Sequence, residues 1–147
     1  MIEKRLVQWY ASDAGVDLDI AEREIVLTYV LRILYDEGLL DHLAFKGGTA
    51  IRKLHLGGSG RFSLDLDFTA VGDITPETLV LDLADILHDQ THYGLTFTIP
   101  SPDYYVTDDA RGCGAEVTYS HEWATGARFG VQISFRAPLL PVRPTPL

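Results

Sequence analysis

Hydrophobic positions recur at helical spacing in two stretches of the chain. Val26, Tyr29, Val30, Ile33 and Leu34 fall on one face of a helix expected from about Ile20 to Glu37. Asp19 is placed as its N-cap, and Gly38 ends it. Leu79, Leu83, Ile86 and Leu87 form the apolar stripe of a second helix, running to about Gln90. Thr75 fits the N-cap there and Pro76 the first helical position. Before these, residues 1–18 hold a short helix or arm ending near Gly15, with Trp9 and Tyr10 packed on the body. The charged residues Glu22, Arg23, Glu24 and Arg32 read as solvent-facing, as do Asp82, Asp85 and Asp89 on the second helix.

Elsewhere the period is two. Leu43-Ala44-Phe45 reads as the end of a strand. Further on, Leu64, Leu66 and Phe68 share a face that can bury, so Asp65 and Asp67 share the other. After the second helix, strands are expected at Tyr93–Ile99, Tyr104–Thr107, Ala115–Ser120 and Phe129–Phe135. In the last of them Val131, Ile133 and Phe135 face one way, Gln132 and Ser134 the other. This order predicts an α/β (α+β) domain over residues 1–137, with a small mixed or antiparallel sheet flanked by helices. Residues 138–147 contain four prolines and read as a Pro-rich tail or linker, since proline suits neither a helix interior nor a central strand.

Composition narrows the function classes. The net charge of −9 argues against a generic nucleic-acid coat protein. Yet Lys46, Arg52, Lys53 and Arg61 lie between Leu43 and Leu64 with no acid among them, so a basic patch flanks the acidic pair. Cys113 is the single cysteine and has no internal disulfide partner. The sequence shows no apolar run of membrane-spanning length and no signal-type apolar segment after MIEKRLVQWY. Cytoplasmic residence, with no membrane contact, is the expectation.

The chemistry-bearing stretch runs from Phe45 to Phe68. Two carboxylates on one strand face, Asp65 and Asp67, repel each other and suit a divalent cation; Mg²⁺ binds through one or two carboxylates and completes its shell with water and phosphates. Gly47-Gly48 allows a tight turn, and Thr49 is placed as N-cap of a helical run Ala50–Leu56. Free N–H groups at such a helix start suit the β- and γ-phosphates of a nucleotide. Lys46 and Arg61 stand ready to neutralise phosphate charge, and Ser63 shares the face of the two aspartates. Together these parts describe a site for a metal-bound NTP and for in-line phosphoryl or nucleotidyl transfer. The structural rival makes Asp65 and Asp67 the polar side of an edge strand. The turn Gly57-Gly58-Ser59-Gly60 lacks the Lys-Ser/Thr of a Walker loop and reads as a connector. His42, His55, His88, His92 and His121 show no metal-ligand spacing, and a Cys113–His121 nucleophile lacks a helix start to activate the thiol.

Phe45-Lys46-Gly47-Gly48-Thr49 with Arg61-Phe62-Ser63-x-Asp65-x-Asp67-Phe68 resembles the AbiEii/AbiGii toxin family. These are nucleotidyltransferase-like toxins of type IV toxin–antitoxin systems, within the polymerase-beta-like superfamily. The resemblance implies the nucleotidyltransferase fold and Mg²⁺-dependent transfer of NMP from an NTP to an acceptor hydroxyl, with the tRNA acceptor end as first choice and a cognate antitoxin as partner. It implies catalytic and metal-binding roles for Asp65 and Asp67, and nucleotide binding by Lys46, Gly47, Gly48, Thr49, Arg61 and Ser63. The spacing between Thr49 and Asp65 is longer than the family's usual one, through Gly58-Ser59-Gly60. The superfamily's later strand commonly adds a third carboxylate; here its polar face offers Gln132. Glu116 on the preceding strand is the nearest substitute, ahead of Glu122, and both read first as exposed strand or turn residues. The family's proteins continue into a helical region with a further lysine and aspartate, and no lysine follows Lys53 here. The alternative reading is therefore a catalytically incomplete module that binds a nucleotide or an antitoxin.

Overall fold

The computed structural model describes residues 2–45, 65–100 and 103–135. Helix α1 spans Lys4–Ala14 and stops where Gly15 adopts a left-handed conformation, φ 72°. Helix α2 spans Leu18–Asp36, two residues earlier at its start than the periodicity predicts, with Asp17 at the N-cap and Asp19 in its first turn. Gly38, at φ 85°, follows the C-cap Glu37 as the left-handed residue that releases the chain from α2. A short 3₁₀ turn, Leu39–His42, leads into strand β1, Leu43–Phe45. Strand β2 is Leu66–Ala70. Helix α3, Pro76–Leu87, opens as expected: Thr75 Oγ1 accepts from the Thr78 N–H at 3.2 Å, and Pro76 needs no donor there.

Four shorter and longer strands complete the sheet after β3, Gln90–His92: β4 is Leu95–Thr98, β5 Tyr104–Val106, β6 Gly112–His121 and β7 Ala124–Ser134. The expected strand at Tyr93–Ile99 is thus replaced by a hairpin. Tyr93 and Gly94 both have positive φ, 56° and 80°, and form its two-residue turn. β6 and β7 are longer than their alternation suggests, because they form one hairpin through Glu122 and Trp123.

The strand order is β1-β2-β7-β6-β4-β3, with β5 also paired to β6. β4 and β5 run one after the other along the same edge of β6. Only β2 and β7 pair in parallel; all other pairs among the described strands are antiparallel. The sheet is therefore mixed, as anticipated. β2 lies between β1, which pairs with Phe68–Ala70, and β7, which pairs with Leu66–Thr69.

One face of the sheet is apolar and carries the core. Leu66 and Phe68 from β2, Ala115, Val117 and Tyr119 from β6, and Phe129, Val131 and Ile133 from β7 are all buried. They join Leu79, Leu83 and Leu87 of α3 and Val26, Leu27, Val30 and Leu34 of α2 in one cluster. Phe97 and Phe129 meet edge to face at 6.5 Å. With the core and described helices on that side, period two sends Asp65, Asp67, Gly114, Glu116, Gly130 and Gln132 to the other face.

Two expectations about α1 and α2 are corrected. Glu22 and Glu24 are buried, not solvent-facing, while Arg32 is exposed and pairs with Asp36. Glu22 Oε1 accepts from the Tyr119 hydroxyl at 2.7 Å, and Oε2 lies 2.5 Å from His121 Nε2. Tyr10 donates to Glu24 Oε1 at 2.6 Å, joining α1 to α2. These partners supply what burial of a carboxylate requires. Trp9, in contrast, is 65% exposed and does not pack on the body; Trp123 takes the structural part, donating from Nε1 to the Ile2 carbonyl. Among the described residues, no helix is long and apolar enough to cross a membrane.

Candidate active site

The site begins with register. β2 pairs with β7 from Leu66 opposite Val131 to Thr69 opposite Ser134. One residue before this ladder, Asp65 continues it with its side chain: the Gly130 N–H donates to Asp65 Oδ1 at 2.8 Å. That bond fixes the carboxylate's orientation. Gly130 in turn stands opposite Glu116 on β6. A Cβ at position 130 would lie 2.9 Å from Glu116 Oε2 and 3.2 Å from Asp65 Oδ1. The missing side chain of Gly130 is thus the space into which two carboxylates, from strands on either side, converge.

The row two residues further along the strands is Asp67, Gln132, Gly114 and Tyr105, from β2, β7, β6 and β5. Asp65 and Asp67 are half-buried, Glu116 and Gln132 exposed. Tyr105 holds its phenolic proton more tightly than an ordinary tyrosine. Burial is the main cause, followed by the charge on Cys113 and then those of Asp67, Glu116 and Asp65. Its ring therefore lies within electrostatic reach of all three carboxylates.

The structure brings Asp65 and Asp67 to one face and adds Glu116, which the sequence reading named as the nearest substitute for a third carboxylate but read first as an exposed strand residue. Glu116 is exposed, yet its carboxylate is directed at Asp65 across Gly130. Glu122 lies in the β6–β7 turn, beyond the far end of β6 from Glu116, and joins no part of this group. Gln132 stands opposite Asp67, so the position where a third acid was sought on β7 is an amide. Tyr105 was not singled out from the sequence at all. Lys46, Gly47, Gly48, Thr49, Arg61 and Ser63 lie outside the described residues, as do the Gly57–Gly60 turn and residues 138–147.

Carboxylate oxygens are the donors that a hard divalent cation takes, and Asp65, Asp67 and Glu116 supply them on one open face. Among the described residues no group of three or more His, Cys, Asp or Glu side chains is close enough to enclose a metal. No Cys–His nucleophile forms: Cys113 is buried on the core face, burial lifts its thiol to about 11, and His121 is engaged by Glu22. His88 and His92 bind backbone groups, the Ile99 N–H and the Ile86 carbonyl, and serve the fold.

A family model described as "Nucleotidyl transferase AbiEii toxin, Type IV TA system" matches residues 29–147. No curated protein matches the chain.

Proposed function

Because the chain belongs to the AbiEii family of nucleotidyl transferase toxins of type IV toxin–antitoxin systems, we propose that it transfers a nucleoside monophosphate from an NTP to an acceptor hydroxyl. The tRNA acceptor end is the favoured acceptor, and a cognate antitoxin restrains the activity. The observation that carries this reading is the convergence of Asp65 and Glu116 over Gly130, beside Asp67 on the same strand face.

In this reading Asp65 and Asp67 hold Mg²⁺. When bound, the ion supplies charge neutralisation and polarisation of the phosphoryl oxygens. The sequence pattern assigns the β- and γ-phosphates to Gly47, Gly48 and Thr49, the countering of their charge to Lys46 and Arg61, and a further nucleotide contact to Ser63. Glu116 takes the place of the third carboxylate that β7 lacks. It stands where a hydroxyl approaching the Asp65 side of the site can hand over its proton. The Gly130 N–H bond keeps Asp65 oriented before substrate arrives, so reorganisation during the reaction is small.

The test is label transfer. The protein is incubated with Mg²⁺, total tRNA and each α-labelled NTP in turn. Label reaches RNA with one or more NTPs, and Asp65→Ala and Asp67→Ala lower it by at least a hundredfold, the scale expected when groups acting on transition-state charge are lost. Folded protein that leaves all RNA unlabelled would overturn the proposal. Nucleotide-dependent thermal stabilisation in that case would support the binding-module alternative, which Gln132 opposite Asp67 favours.

A further inference from the structure

The polar face continues beyond the carboxylates towards the β6–β7 turn. Its next row is Thr98, Thr118 and Arg128, directly opposite one another on β4, β6 and β7. Arg128 lies two residues before Gly130 on β7 and so shares its face. It is a diagonal neighbour of Glu116, which stands opposite Gly130, and of Asp65, which accepts from the Gly130 N–H. Diagonal neighbours lie about 7–8 Å apart, within reach of a long side chain. Among the described residues Arg128 is the one lysine or arginine on a strand. Lys4, Arg5, Arg23 and Arg32 belong to α1 and α2, and Arg111 to the turn before β6.

The ion-pair partner of Arg128 among the described residues is Asp103, whose Oδ2 lies 3.8 Å from Nη2. Asp103 directly precedes β5, on the far side of β6 from β7, so the arginine side chain reaches across β6. The contact is longer than the roughly 2.7–2.9 Å of a charge-assisted hydrogen bond. The side chain stays 59% exposed. A guanidinium presents several N–H donors in a rigid fork, so this one is open to a second anion. A cationic fork thus stands one row from two carboxylates on an open face. That arrangement suits a phosphate, whose oxygens face a guanidinium on one side and a carboxylate-held cation on the other. Thr118 and Thr98 continue the row with hydroxyls, which are also common partners of nucleic-acid phosphates. We propose that Arg128, with Thr118 beside it, forms a phosphate-binding subsite next to Asp65 and Glu116. Its ligand is a substrate phosphate, carried either by the nucleotide or by an RNA acceptor. The inference rests on the nucleotidyl-transfer reading for its substrates, while the subsite itself is built from β4, β6 and β7.

Steady-state transfer, with NTP and RNA varied independently, tests it. Arg128→Ala raises at least one of the two KM values about tenfold or more, the scale of a lost charge-assisted hydrogen bond. A rise in the NTP value assigns the phosphate to the nucleotide, and a rise in the RNA value assigns it to the acceptor. Arg128→Lys restores part of the loss, because it keeps the charge but not the fork. Asp103→Asn leaves both KM values within about threefold, since an exposed ion pair contributes little. Two results would overturn the subsite and leave nucleotidyl transfer standing. One is both KM values of Arg128→Ala within about twofold of wild type. The other is a loss in Asp103→Asn equal to that in Arg128→Ala. If the wild-type protein transfers no label, two binding measurements with Mg²⁺ decide separately: calorimetric titration with inorganic tripolyphosphate, and fluorescence anisotropy with a 5′-labelled RNA trinucleotide CCA. Affinity for either probe that falls about tenfold in Arg128→Ala and partly recovers in Arg128→Lys supports the subsite. Equal binding by wild type and Arg128→Ala, or no binding of either probe by the wild type, overturns it.

Discussion

At the scale of single residues, two glycines on one sheet face have different reasons to be glycine, and substitution separates them. At position 130 an added methyl meets the ends of two side chains, Glu116 Oε2 and the Asp65 carboxylate, which can move aside. At position 114 it meets a backbone oxygen, Val131 O, which cannot move without breaking the β6–β7 ladder. Gly114→Ala is therefore expected to cost about 1–3 kcal/mol or more in urea unfolding, as overpacking does. Gly130→Ala is expected to keep the wild-type midpoint closely but to lower nucleotidyl transfer by tenfold or more, because Glu116 and Asp65 are pushed apart. Equal loss of stability in the two variants would contradict this assignment. The site's inner half was legible in the sequence, since Asp65-x-Asp67 needs only period two to share a face. Glu116 was not. Its direction depends on the register of β6 against β7, which shifts between Tyr119 and His121. A slip of one residue reverses every side chain, and sequence does not show a bulge.

At the scale of elements, α2 is held to the sheet by a carboxylate as well as by its apolar stripe. Glu22 sits between the Tyr119 hydroxyl and His121 Nε2, both from the far end of β6. Removing Glu22 leaves two buried polar groups without their acceptor, and His121 Nδ1 already has no partner among the described residues. Glu22→Ala should therefore destabilise by about 3 kcal/mol, measured by urea unfolding. Glu22→Gln, which can still accept from Tyr119, should lose about half as much. Midpoints for both within the error of wild type would show the cluster to be energetically idle. The helix itself was readable from Val26, Val30, Ile33 and Leu34. The burial of Glu22 was not, because carboxylates are mostly exposed and its partners lie 97 and 99 residues downstream. Distance in sequence also hides the parallel β2–β7 pairing, from Leu66 to Val131, on which the alignment of Asp67 with Gln132 depends.

For the whole molecule, alkaline pH acts on the core through two buried groups. Cys113 and Tyr119 lie on the buried side of β6, and both hold their protons more tightly than when unfolded. For Cys113 burial is the main cause, with the charge of Glu77 adding to it, and the thiol moves up to about 11. For Tyr119 burial again leads, followed by its hydrogen bond to the Glu22 carboxylate. A group with a raised folded-state pKa favours the folded state fully while both states are protonated. That advantage is lost as the unfolded thiol ionises above its ordinary value near pH 9 and continues to fall until the folded thiol ionises near 11. The unfolded chain then binds fewer protons than the native one, so the slope of stability with pH is negative in this window. Thermal melts between pH 7 and pH 10.5 should accordingly show a flat contribution from Cys113 up to about pH 8, and a falling midpoint beyond. Cys113→Ala should start lower, because a buried side chain is trimmed, and decline less steeply above pH 9. Parallel curves for the two proteins would mean that the thiol does not carry the effect. Native protein should also react with iodoacetamide at pH 8 far more slowly than urea-unfolded protein, since the buried thiol is both shielded and protonated there.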